Sequence, residues 1–169
     1  PLNAIIGLTD LCQGTGLNPR QQDYLDKIQA SGTTLLGVVN DILDFSKIEA
    51  GKLNLEHTPF TLDQVLDHVI TFIAQRAQEK GLELILEVAP DVPQQLVGDP
   101  LRLGQVLTNL LGNAAKFTDA GDIRLGVGVV ERNSHRATLR FEVRDTGIGM
   151  TAPQLDRLFE AFSQADTSM

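Results

Sequence analysis

Asp99-Pro100-Leu101-Arg102-Leu103-Gly104-Gln105-Val106-Leu107-Thr108-Asn109-Leu110-Leu111-Gly112-Asn113-Ala114-Ala115-Lys116-Phe117-Thr118 is the stretch on which the fold turns. Pro100 suits the first helical position, where a missing N–H costs nothing, and Asp99 before it suits the N-cap. Leu103, Val106, Leu107, Leu110, Leu111 and Ala114 recur at helical spacing and predict one apolar stripe. Asn109, Asn113 and Lys116 fall at i, i+4 and i+7, a second stripe roughly a third of a turn from the first. Amide oxygens can ligate a hard cation, and an ammonium can meet a phosphate. The same residues also suit a plain polar flank, and the helix by itself leaves both readings open.

Bulk properties narrow the field around this helix. The chain has 169 residues, enough for one domain or two small ones. A formal net charge of −8 and a pI near 4.7 argue against a general nucleic-acid surface. One cysteine, Cys12, excludes an internal disulfide and a cysteine metal cluster, and suits a reducing compartment such as the cytoplasm. No apolar run approaches the ~18 residues of a membrane span. The chain opens on Pro1 inside an apolar helical pattern and reads as a piece of something longer, whose parent could be anchored in the inner membrane.

Upstream, Leu2, Ile5, Ile6, Thr9 and Cys12 have helical spacing until Gly14-Thr15-Gly16. Asn18-Pro19 restarts a helix, with Asn18 as N-cap and Gln21 at the capping-box position, running to Ala50 and closed by Gly51. Its apolar residues follow a seven-residue repeat: Ile28, Leu35 and Ile42 in one register, Tyr24, Ser31, Val38 and Phe45 in the other. That seam is too broad for one short partner helix, so residues 1–51 are expected to pair with a second copy in a dimeric four-helix bundle, with packing on the downstream domain as the alternative. Residues 52–169 form the second expected domain. It should contain a short strand at Leu53 and Leu55, then a helix capped by Thr61 and Gln64 with core residues Leu62, Val65, Leu66, Val69, Phe72 and Ile73. Leu82 to Val88, Ile123 to Val129 and Thr138 to Asp145 alternate as strands, with a loop over Pro90 to Gly98. The fold class is α+β: helices on one face of a mostly antiparallel sheet.

Asp145 shares parity with Leu139, Phe141 and Val143 and so is expected to face the buried side. Gly147 and Gly149 follow, permitting close backbone approach to a ligand. An acceptor-only carboxylate at a strand end suits an exocyclic amine such as that of adenine, though it could equally cap the following turn. No G-x-x-x-x-G-K-[ST] occurs, so a P-loop is excluded.

Asn109-x-x-x-Asn113-x-x-Lys116-Phe117 resembles the N box, and Asp145-Thr146-Gly147-Ile148-Gly149 the G1 box, of the ATP-binding domain of sensor histidine kinases. Leu158-Phe159-Glu160-Ala161-Phe162 looks like their F box, Pro1-Leu2-Asn3-Ala4-Ile5-Ile6-Gly7 like the tail of their H box, and Phe45 to Lys52 like the end of their second dimerisation helix. The resemblance covers nearly the whole chain in order and is greatest to bacterial hybrid kinases. It implies a sandwich of the histidine-kinase, gyrase and chaperone ATPase type, a magnesium ion bridging ATP phosphates, and transfer of the γ-phosphate to a histidine for relay to a response regulator or receiver domain. By that likeness Asn113 is the metal ligand and Asn109 its support, Lys116 meets phosphate, and Phe117 lies against adenine or ribose. Asp145 reads the adenine amine, with Gly147, Ile148 and Gly149 beside the base. Phe159 and Phe162 would anchor a lid.

The family's phosphoacceptor histidine lies upstream of the proline that matches Pro1. His57, His68 and His135 are read as surface residues, so the chain as given is expected not to autophosphorylate. A degenerate dimeric ATP-binding scaffold without phosphotransfer is the alternative function.

Overall fold

The computed structural model describes residues 1–156 and divides into two compact units, Pro1–Asn54 and Leu55–Met169. The first is a helical hairpin of α1 (Leu2–Gln13) and α2 (Pro19–Glu49). The expected capping box forms in full: Asn18 Oδ1 accepts from the Gln21 N–H at 2.9 Å, and the Asn18 N–H donates to Gln21 Oε1 at 3.0 Å. At the far end Gly51, at φ +63°, lets the Lys52 N–H reach Lys47 O at 2.8 Å and the Gly51 N–H reach Ile48 O at 3.0 Å, closing the helix in a Schellman turn. At Gly32 the side chain of Ile6 in α1 lies close to the backbone of α2. A Cβ there would stand 3.1 Å from Ile6 Cγ1. Gln13 donates to Asp26 at 2.8 Å, and Gln29 donates to Asp10. Within this unit only Thr9 and Gly32 are buried among the described residues, while Leu8, Tyr24, Ile28, Leu35, Val38 and Ile42 are exposed.

The second unit runs β1 (Thr58–Thr61), α3 (Leu62–Glu79), β2 (Glu83–Val88), β3 (Gln95–Gly98), α4 (Pro100–Phe117), β4 (Asp122–Arg132), β5 (Ala137–Asp145) and a short α5 (Ala152–Asp156). A three-stranded sheet has the order β2-β4-β5, and β1 pairs with β3 in a separate two-stranded ribbon. Inward residues Ile123, Leu125 and Val127 alternate along β4 and meet Leu62, Leu66, Val69, Ile73 and Ala77 of α3 and Leu107, Leu111, Ala114 and Ala115 of α4 in one core. The outer face carries charge: Glu142 takes hydrogen bonds from Arg144 and Arg140, and the first of these chiefly holds its carboxyl below the usual range. The architecture is therefore the expected one, a helical region followed by helices packed on a sheet.

Several local expectations need correction. The sheet is mixed, because β2 and β4 pair in parallel, with Leu84 opposite Ile123; the connection through β3 and α4 supplies the long crossover a parallel pair needs. No strand forms at Leu53 or Leu55; it begins at Thr58 instead, and the Glu56 N–H donates to Asp99 Oδ2 at 3.1 Å. Pro59 sits inside β1 opposite Val97, as a two-stranded ribbon of edges allows, and the expected loop before Gly98 contains β3. Thr61 is the N-cap of α3 without a capping box; its hydroxyl accepts from Gln95 at 3.1 Å. Phe72 is 55% exposed, and Val106 and Leu110 are 55% and 47% exposed, so the buried stripes of α3 and α4 are narrower than their apolar spacing predicts. On α4 the closely packed line is Leu107, Leu111, Ala114 and Ala115, and Val106 and Leu110 lie on its flank.

Candidate functional site

Helix α4 begins as read, with Asp99 Oδ1 accepting the Arg102 N–H at 3.0 Å and Pro100 in the first turn. That hydrogen bond, with a second from the Glu56 N–H, holds the Asp99 carboxyl below its ordinary range. Anchored there and buried along one side, the helix presents Asn109, Asn113 and Lys116 to solvent and leaves Phe117 half-buried. Neither amide makes a hydrogen bond among the described residues, and the Lys116 ammonium lies 4.8 Å from the centre of the Phe117 ring without an ion pair there. These three polar residues line a cleft of about 590 Å³ together with Phe72, Arg76 and Lys80 of α3 and its C-cap. Across it the Arg76 guanidinium stacks on Phe72 at 5.4 Å.

The second group gathers at the end of α4 rather than in that cleft. The Ile148 N–H donates to Phe117 O at 3.2 Å, fastening the loop after β5 to the last turn of the helix. Gly147 is required for this approach, since a Cβ would stand 2.4 Å from Phe117 O and 2.8 Å from Asp145 Oδ1. Gly149 has φ +65°, a backbone state glycine adopts freely, and Ile148 between the two is 74% exposed. Register places Asp145 opposite Ile123, on the inward side as its parity predicts, but it ends the strand beyond the cover of the helices and is exposed rather than buried. Its Oδ1 accepts the Gly147 N–H at 2.9 Å and faces the Thr118 hydroxyl at 3.5 Å. The turn-capping role is thus realised on one oxygen. Oδ2 has no partner among the described residues, so the carboxylate keeps an acceptor for a ligand.

Phe159 and Phe162 lie outside the described residues. His57, His68 and His135 are exposed, as expected of surface residues. No group of three His, Cys, Asp or Glu residues suited to a metal occurs among the described residues. No helix of the described residues is long and apolar enough to cross a membrane.

Sequence reasoning missed Thr118, Lys80 and Thr146. Thr118 is fully buried and supplies a hydroxyl to Asp145. Lys80 Nζ donates to Lys116 O at 2.9 Å and Thr118 O at 3.0 Å. The Thr146 hydroxyl accepts the Asp122 N–H at 3.1 Å and donates to Ala120 O at 3.2 Å, bracing the loop on the turn before β4. Their partners are mostly backbone atoms distant in sequence, which carry no compositional signal.

Two family models match parts of the chain. The His Kinase A (phospho-acceptor) domain matches residues 1–51, and the Histidine kinase-, DNA gyrase B-, and HSP90-like ATPase family matches residues 98–169. The signal transduction histidine-protein kinase BarA of Escherichia coli (strain K12) is 48% identical over 169 residues, 100% of this chain and 18% of BarA. The sensor histidine kinase GacS of Pseudomonas protegens is 50% identical over the same 169 residues, 18% of its own length. The crystal structure of full-length ShkA in complex with AMPPNP superposes with a TM-score of 0.75 and 37% identity, covering 98% of this chain and 35% of ShkA. The chain thus spans under a fifth of the two curated relatives and about a third of ShkA.

Proposed function

Because the chain belongs to the histidine kinases, carrying their phospho-acceptor domain followed by their ATPase domain, we propose that it is the core that binds ATP and passes the γ-phosphate to a histidine of the phospho-acceptor helices. The observation that carries this reading is the Ile148–Phe117 hydrogen bond, which joins the loop after Asp145 to the last turn of the helix bearing Asn113 and Lys116. A ligand with an amine at one pole and phosphates at the other fits that junction. ShkA, 37% identical, is a complex with AMPPNP, which supports a nucleotide of the ATP type here.

In this reading Asp145 Oδ2 accepts from the adenine amine, Phe117 packs against adenine or ribose, and the glycines at 147 and 149 keep the loop close to the base. Lys116 meets phosphate as a charged donor. Magnesium fits the two unpartnered amides: Asn113 would hold it with Asn109 in support, and when bound it would neutralise charge on the phosphates. An amide at Asn109 cannot take a proton from water, so the site holds ATP without a general base for hydrolysis. The acceptor is then a protein imidazole, and a receiver-domain aspartate of a response regulator follows it in the relay.

The two-copy arrangement belongs to the same proposal. The exposed apolar residues of α1 and α2, with their seven-residue repeat, support a homodimer seam along the hairpin. Titration calorimetry tests the site. Asn113→Ala and Asp145→Ala should each abolish measurable Mg-ATP binding while the circular dichroism spectrum stays unchanged, and unaltered affinity in either folded variant would refute the assignment.

A further inference from the structure

Lys80 lines the same cleft as Asn109, Asn113 and Lys116, yet its charge is committed elsewhere. It is the C-cap of α3, and Gly81 beyond it, at φ +68°, closes a Schellman turn in which the Leu82 N–H reaches Ala77 O at 2.9 Å and the Gly81 N–H reaches Gln78 O at 3.0 Å. Ala77 and Leu82 are both buried, so this turn is fixed in the core. From it the ammonium spans to α4, donating to Lys116 O at 2.9 Å and Thr118 O at 3.0 Å, with the Asp119 carboxylate at 3.5 Å. A cation at a helix C-terminus also answers the partial negative charge of the unpaired carbonyls.

Between those two acceptors in sequence lies Phe117 O, which accepts from the Ile148 N–H at 3.2 Å. Three successive carbonyls at the end of α4 are therefore gripped alternately by Lys80 and by the loop after β5. We propose that Lys80 is a positioning residue of the nucleotide site: it fixes the last turn of α4, and with it the Lys116 and Phe117 side chains, against the Asp145 loop. The inference rests on the nucleotide reading of that site. Lys80 acts through backbone atoms and touches neither base nor phosphate.

The test compares the unaltered chain with Lys80→Met, which keeps the apolar stem, and Lys80→Arg, which can still reach both carbonyls. Mg-ATP affinity is measured by calorimetry, and amide hydrogen exchange is followed in the same proteins. Lys80→Met should weaken Mg-ATP binding roughly tenfold, as small misplacements in binding sites do, and Lys80→Arg should restore most of it. Exchange at the Ile148 and Thr118 amides should quicken in Lys80→Met while Ile123 and Leu125 in the core stay protected. Should Lys80→Met fail to fold, Lys80→Gln, uncharged and too short to hold both carbonyls, takes its place with the same expected losses in the same two measurements. Unchanged affinity overturns the proposal, and so does exchange that quickens equally at Ile123 and Leu125, which would make Lys80 merely structural. An unaltered chain that binds no Mg-ATP overturns the nucleotide reading and this inference with it, whereas loss of binding in Asn113→Ala but not in Lys80→Met overturns the inference alone.

Discussion

At Gly147 a single hydrogen atom separates an open site from a blocked one. Any side chain there would press on Phe117 O and on the Asp145 carboxylate, and both are part of the junction. Gly147→Ala should therefore push the loop off α4, lowering Mg-ATP affinity at least about tenfold, with little change in thermal midpoint because the loop is exposed; calorimetry beside a thermal melt would check it. Residues of this kind were legible in the sequence because their chemistry is their own: Asn109, Asn113, Lys116 and Asp145 are polar groups at positions that helix and strand periodicity set beside an apolar face. Lys80 was not legible, since its acceptors are carbonyls that any residue would supply. Nor was the exposure of Asp145, because parity assigns a face but does not say where the cover of that face ends.

Elements were read well where their ends carry chemistry and poorly where only alternation was available. Helix α2 starts at its capping box and stops at its glycine, and Asn18→Ala should cost about 1 kcal/mol, seen as a lower urea midpoint for the helical signal. At the start of α4 the cap is a carboxylate. Hydrogen bonds from the Arg102 and Glu56 N–H groups hold Asp99 below its ordinary range, so the stability it adds is complete above that range and is lost as pH falls through the lowered value. Asp99→Asn retains a capping oxygen but cannot titrate. Its stability should fall less steeply than that of the unaltered chain below a pH of about 4, and identical acid limbs in pH-dependent melts would refute the role. The parallel pairing of β2 with β4 and the ribbon of β1 with β3 escaped the sequence reading. Alternation fixes which face a residue occupies, but strand order depends on which crossover packs, and that is decided by the core under α4.

On the scale of the whole molecule, the hairpin and the sheet domain are stabilised differently. The sheet domain has a continuous core, whereas the hairpin buries only Thr9 and Gly32 among its described residues and leaves a heptad seam in solvent. Such a hairpin needs a covering surface to be stable in water. Placing a charge in that seam with Ile42→Asp should convert a dimer into a monomer at micromolar concentration by sedimentation velocity, and a variant that sediments like the unaltered chain would show the seam to be covered in another way. The heptad was plain from the sequence; whether its partner is a second copy is what that measurement decides.

The parallel pairing also imposes an order in time. Strand β2 cannot acquire its neighbour until α4 and β4 have both been laid down, and the loop that grips the end of α4 comes only after β5. The proposed site cannot form before β5 is in place, because its two poles belong to α4 and to the loop after β5. If the proposed site takes nucleotide, nucleotide in the surroundings would favour chains whose β5 is already in place, by mass action on the folded state.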